Sequence, residues 1–277
     1  MYFLKFRAML YNRFLLFTNN RKTHMKKSQI AAQLYTLREY IANPADITDT
    51  LKKVRKIGYE AIQVSGMGPI AEEELLKIAQ GEGLTICATH DPAAKIVDET
   101  EAVIERLAKL NCKYTAYPHP HLQYASYTGY VEFAKKLNAA AEKFAAAGQC
   151  LCYHNHATEF QKFDGKVMLD IIYDNAPALQ AEIDTFWVQS GGANPTDWVK
   201  KMSGRSPLLH LKEYAVKGNE RIMEAVGNGN LDWHSIIPAG EVAGVEYFIV
   251  EQDNCNNISP FVCLQQSFDY LVENFVK

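Results

Sequence analysis

No stretch of this chain strings together the ~18 apolar residues that a membrane-spanning helix requires. No CxxC pair occurs among its six cysteines (Cys87, Cys112, Cys150, Cys152, Cys255 and Cys263), so no zinc knuckle and no compact disulfide framework is encoded. There is no basic excess either. The net charge is −3, which argues against nucleic acid as a main partner. The first apolar run leads into Leu34-Tyr35-Thr36-Leu37-Arg38 without a glycine, and no Gly-rich phosphate cradle appears elsewhere. Low-complexity tracts, dividing linkers and repeats longer than a strand–helix unit are missing too.

What is present is ordinary for a soluble globular protein. The 277 residues are 48% hydrophobic and 22% charged, enough chain to bury a full core. The cysteines read as small, reduced core residues, which points to a reducing, cytoplasmic compartment. Cys150 and Cys152, one residue apart in a strand pattern, share a face. The first 24 residues are basic and aromatic. Arg13 interrupts the apolar stretch a secretory signal needs, and Thr23-His24 offers no small-residue cleavage site. Met25-Lys26-Lys27-Ser28 looks the more natural start. Residues 1–27 are therefore expected to be an extension, disordered or not native, and 28–277 a single folded domain.

From Ser28 onward strand and helix patterns alternate. Short apolar runs at 30–35, 61–64, 84–89, 114–117, 151–156, 179–184, 208–212 and 247–251 read as strands. Helical spacing of apolar residues fills the intervals, at 47–57, 70–80, 99–110, 130–147, 167–174, 195–202, 231–243 and 260–276. Strands separated by one helix each favour parallel pairing. Eight such units in about 250 residues predict a single (β/α)8 (TIM) barrel.

The active face of such a barrel lies at the strand C-termini. Polar residues gather there: Gln33, Tyr35, Gln63, His90, Asp91, His119, His121, His154, His156, Asp184, His210, Lys212, Glu251 and Asp253. One histidine at a strand end is more often structural than a ligand. Six of the chain's eight on one face call for another explanation. Imidazole and carboxylate donors suit zinc, manganese, cobalt or nickel. Alternation puts His154 and His156 on one face with Asn155 opposite. Without a metal, Asp184 would cap the following helix and Glu251 would pair with Lys212.

From about Gln29 onward the chain resembles the xylose isomerase-like sugar phosphate isomerase/epimerase family. The resemblance rests on Gln33-Leu34-Tyr35-Thr36-Leu37-Arg38, Tyr153-His154-Asn155-His156, Ile183-Asp184-Thr185-Phe186-Trp187-Val188, His210-Leu211-Lys212-Glu213 and Val250-Glu251-Gln252-Asp253. Gly227-Asn228-Gly229-Asn230-Leu231-Asp232-Trp233 resembles the loop before its seventh helix. The resemblance implies a divalent metal (Mn, Zn, Co or Mg) held by His154, Asp184, His210 and Glu251. Many relatives have Glu-Asn-His where this chain has His154-Asn155-His156, and Gln63 stands where a Glu is frequent.

One of the two carboxylates that trade a proton in the epimerases is therefore replaced. Glu251, His156 and Lys212 are the catalytic candidates, with His90 and His119 as further acid/base choices. Tyr35, Gln33, Gln63, His90, His119, Trp187 and Asp253 are the candidate substrate contacts. The implied reaction is isomerisation or epimerisation of a carbohydrate or polyol by proton abstraction beside a carbonyl. Rivals are a lyase or dehydratase acting on a keto sugar or keto-inositol, and a sugar-binding barrel without turnover. Abasic-DNA repair fits poorly, since Trp187 stands where those relatives carry a histidine. The expected partner is a small carbohydrate, neither nucleic acid nor membrane, and a homodimer is the assembly to test.

Overall fold

The computed structural model describes residues 24–118 and 126–277. Eight parallel strands close into the expected barrel: β1 (Ile30–Gln33), β2 (Ala61–Val64), β3 (Thr85–His90), β4 (Tyr114–Tyr117), β5 (Cys150–His154), β6 (Gln180–Asp184), β7 (Leu208–Leu211) and β8 (Tyr247–Val250). Each strand pairs with its neighbours in sequence, and β8 closes on β1 with Ile249 opposite Ala31. Among the described residues no helix is long and apolar enough to cross a membrane.

Alternation within the short strands builds the site. Outward residues such as Ile62, Ile86, Leu151, Ile183, Leu209 and Phe248 join the main core under the helices. Inward residues form a second, smaller cluster on the barrel axis that includes Ala31, Ala61, Ala88, Cys152, Leu208 and Ile249. Two residues further along each of these strands the same face carries Gln33, Gln63, His90, His154, His210 and Glu251. The axis is therefore apolar below and polar above. All six cysteines are free thiols, and the Cys150 and Cys152 sulfurs lie 4.0 Å apart on their shared face.

Several elements differ from the sequence expectation. β1 ends at Gln33 because Leu34–Tyr40 turns into a 3-10 helix, whose start the Gln33 side chain caps by accepting from Tyr35 N. Met25, assigned by sequence to the extension, is buried and bridges to Val276. Short helices at Ala93–Asp98 and Thr185–Ser190 were not anticipated, nor were antiparallel hairpins pairing Lys162–Phe163 with Lys166–Val167 and Glu213–Lys217 with Glu220–Glu224.

The second hairpin leaves the barrel directly after Lys212, and Glu213 anchors it. This buried carboxylate accepts from the backbone N–H of Tyr214 (3.0 Å), Gly227 (2.9 Å) and Leu231 (3.1 Å), and from the Trp233 indole. The Gly227–Trp233 segment is thereby tied to the end of β7. Glu213→Ala leaves these donors buried without an acceptor, and urea unfolding is expected to show a loss of about 2–4 kcal/mol.

Candidate metal centre

Four side chains from four consecutive strands meet above the apolar axis. His154 closes β5, Asp184 closes β6, His210 lies in β7, and Glu251 follows β8. One donor atom from each lies within 4.8 Å of the other three. His154 Nε2 is 3.7 Å from Asp184 Oδ2, His210 Nδ1 is 3.9 Å from the same oxygen, and His210 Nδ1 is 3.0 Å from Glu251 Oε2. Donors about 2.1 Å from a common ion stand roughly 3.0–3.4 Å apart, so small rotamer adjustments would close the set around one ion. Asp184 divides its oxygens between two roles. Oδ1 caps the helix Thr185–Ser190 by accepting from Trp187 N (2.9 Å), whereas the buried Oδ2 makes no hydrogen bond. That oxygen, which has an ion-pair contact with Lys212 (3.3 Å) but no hydrogen bond, and has two imidazoles and a second carboxylate in reach, fits a divalent cation.

The backbone under Asp184 is held by Asn155, whose Oδ1 accepts from Asp184 N at 3.0 Å. Below the quartet lies a residue the sequence reading missed. Glu182, fully buried two residues before Asp184 on the same inward face, accepts from Gln63 Nε2 (2.7 Å) and stands 2.5 Å from His90 Nε2 and 3.1 Å from His154 Nδ1. Its signal was available, because a carboxylate inside an otherwise buried strand needs partners.

Lys212 is the fixed cation of the site. Its ammonium lies 2.8 Å from Glu251 Oε2, 3.1 Å from Asp253 Oδ2 and 3.3 Å from Asp184 Oδ2. Burial opposes its charge, yet those three carboxylates hold its pKa above the usual lysine range. Burial also works against Glu251, but Lys212 and His210 keep it well below the ordinary carboxylate range. Asp184 goes the other way: burial pushes it up to about 6 despite Lys212 and His210. For His210, Glu182 and Glu251 outweigh burial and raise it to about 10. Burial, reinforced by His210 and His156, holds His154 well below the usual imidazole value, so it stays neutral.

A cavity of about 250 Å³ opens above this floor, lined by Tyr35, Arg38, Ser65, His90, Pro118, His154, His156, Lys212, Glu251 and Asp253. Of the expected substrate contacts, Tyr35, His90 and Asp253 stand on its wall. Gln33 and Gln63 do not. Both are fully buried beneath it, with Gln33 Nε2 donating to Gln63 Oε1 at 2.8 Å. Trp187 packs behind the wall, its ring 5.1 Å from that of His156. His119 and His121 lie outside the described residues.

A model of the xylose isomerase-like TIM barrel matches residues 51–256. The chain belongs to this family. Two solved structures of sugar phosphate isomerase/epimerases from Parabacteroides distasonis are similar to this xylose isomerase-like barrel. One has a TM-score of 0.77 at 23% identity over 90% of this chain and 99% of its own, the other 0.77 at 20% over 91% and 96%. An L-ribulose 3-epimerase (TM-score 0.67, 16% identity, 88% and 93% covered) shares the fold. So does a probable 3-DHS dehydratase of petrobactin synthesis from Bacillus anthracis (0.68, 15%, 90% and 99%). No curated protein matches the chain significantly.

The two buried histidines predict a pH optimum of stability for the metal-free protein. His154, depressed in the folded state, contributes stability that is lost as pH falls below about 6.5, the unfolded histidine value. His210, raised to about 10, contributes stability that is lost as pH climbs from about 6.5 toward that value. Thermal melts of chelator-treated protein are expected to peak near pH 6–7. Added Mn2+ is expected to raise the melting temperature progressively more at higher pH, because ligation displaces the proton from His210 Nδ1.

Proposed function

We propose that this protein is a divalent-metal-dependent isomerase that abstracts a proton beside the carbonyl of a carbohydrate or polyol. The observation that carries the reading is the convergence of His154, Asp184, His210 and Glu251, of which His154 and Glu251 line a cavity that His90, His156 and Lys212 also line. Bound Mn2+, Zn2+, Co2+ or Mg2+ would act as a Lewis acid on a substrate carbonyl or hydroxyl.

The chain's own groups then divide the remaining work. Lys212, locked by Glu251 and Asp253, offers N–H donors to the oxygen that gains negative charge as the proton leaves. Glu251 is a poor base, since its Oε2 already meets the Lys212 ammonium at 2.8 Å and the carboxylate is one of the four groups that would hold the ion. The proton acceptor is His156, an imidazole on the cavity wall whose ring is positioned by Trp187 and His154. Tyr35 supplies an aromatic wall for an apolar sugar face.

A single base can carry a proton between adjacent carbons on one face, which suffices for isomerisation. Two-base epimerisation needs acceptors on opposite faces. Among the described lining residues the carboxylates are Glu251 and Asp253, and both are tied to Lys212. That same pairing favours a second reading, loss of a β-substituent from a keto sugar or keto-inositol after the identical deprotonation.

Keto sugars incubated with metal-loaded protein in deuterated water separate the two. A carbonyl shifted to the adjacent carbon, with deuterium at the former carbonyl carbon, supports isomerisation, and an unsaturated product supports elimination. Absence of both, with sugar bound, would leave a binding barrel. His156→Gln is expected to lower turnover about 10²–10⁴-fold while leaving metal affinity within about twofold.

A further inference from the structure

A second group of candidate ligands, His90, His154, Glu182 and His210, lies beside the first and shares two of its histidines. Sharing decides between the two groups. A neutral imidazole carries a proton on one ring nitrogen and a lone pair on the other. His154 directs Nδ1 at Glu182 (3.1 Å) and Nε2 at Asp184 (3.7 Å). His210 directs Nε2 at Gln63 Oε1 (2.7 Å) and Glu182 Oε1 (3.3 Å), and Nδ1 at Glu251 (3.0 Å). With an ion bound, each ring is neutral and can serve one group as a ligand only by serving the other as a donor.

The polar network beneath fixes which way round this is. Tyr35 N–H can only donate, and it donates to Gln33 Oε1 at 3.4 Å. Gln33 must then present its NH2 to Gln63 Oε1, at 2.8 Å. Gln63 in turn presents its NH2 to Glu182 Oε1, at 2.7 Å, leaving its own oxygen to accept from His210 Nε2. Both oxygens of Glu182 face donors: Oε1 accepts from Gln63 Nε2 (2.7 Å), and Oε2 faces His90 Nε2 at 2.5 Å and His154 Nδ1 at 3.1 Å. A carboxylate oxygen placed in this way accepts, so His154 Nδ1 carries the proton of its neutral ring.

We infer that Glu182, oriented through Gln33 and Gln63, is a positioning residue. It fixes the tautomers of both histidines so that a single ion is taken by His154 Nε2 and His210 Nδ1, and the lower group holds none. The inference rests on the proposed metal-binding reading, and adds to it a stoichiometry and two named nitrogens. It also makes Gln63 part of the metal site's support rather than a substrate contact. A carboxylate or carbonyl partner on the far nitrogen of a ligand histidine stabilises its orientation and raises its basicity, and removing such a partner typically weakens metal affinity about 10–100-fold.

The test is zinc titration of the full chain, followed by ¹⁵N–¹H long-range NMR of the ¹⁵N-histidine-labelled, zinc-loaded protein. One zinc per chain is expected, with His154 ligated through Nε2 and protonated at Nδ1, and His210 ligated through Nδ1 and protonated at Nε2. Glu182→Gln turns an NH2 toward N–H donors and is expected to weaken zinc binding about 10–100-fold, whereas His234→Gln on the outer helix Trp233–Ala243 leaves it unchanged. Should Glu182→Gln fold poorly, the wild-type spectrum decides alone. Zinc bound through His154 Nδ1 or His210 Nε2, or two zinc ions per chain, overturns the inference and leaves the metal reading standing. Failure to bind zinc, Mn2+ or Co2+ at all overturns both.

Discussion

Charges buried together at the axis of a barrel have to be answered there, because water cannot reach them. Glu182 and Asp184 each lie within 3.9 Å of both His154 and His210, Glu251 lies 3.0 Å from His210, and Lys212 sits among the upper carboxylates. Glu182 meets N–H groups from Gln63, His90, His154 and His210, and Glu251 meets Lys212 and His210. One oxygen, Asp184 Oδ2, is left without a hydrogen bond. The rest of the upper barrel can be understood from this imbalance. Gln33 and Gln63 orient the lower carboxylate, Asn155 fixes the backbone of Asp184, and Glu213 secures the chain that leaves Lys212.

This arrangement links the fold to the chemistry through depth. Above the apolar cluster low on the axis, the next inward layer converges as Gln33, Gln63, His90, His154, His210 and Glu251. Only its upper part opens to the cavity, where His90, His156, Lys212 and Asp253 stand. A site built this way separates support from reaction. On the proposed reading, groups below would set proton positions, groups at the middle would hold an ion, and groups on the wall would handle substrate protons.

Much of this could be seen in the sequence, for identifiable reasons. His154, Asp184, His210 and Glu251 each follow a short apolar run, so strand periodicity alone brings them to one rim, and the barrel follows from the count of strand–helix units. Depth was harder. Gln33 and Gln63 occupy strand ends just as Tyr35 and His90 do, and nothing in their local sequence says that they are fully buried. Glu182 lies inside β6 and not at its terminus, though a Glu between Ala181 and Ile183 is itself an anomaly. The hairpin after Lys212 carried a readable turn, Gly218-Asn219, with Gly218 at a φ of +60°. The helix Thr185–Ser190 is too short for periodicity to announce, and only the cap reading of Asp184 points to it.

The most direct measurement is anomalous scattering from crystals of the full chain soaked with Mn2+. The account predicts one peak per chain, within coordination distance of His154 Nε2, Asp184 Oδ2, His210 Nδ1 and Glu251 Oε2. No peak at this position, or a peak held by His90 and Glu182 in its place, would contradict it.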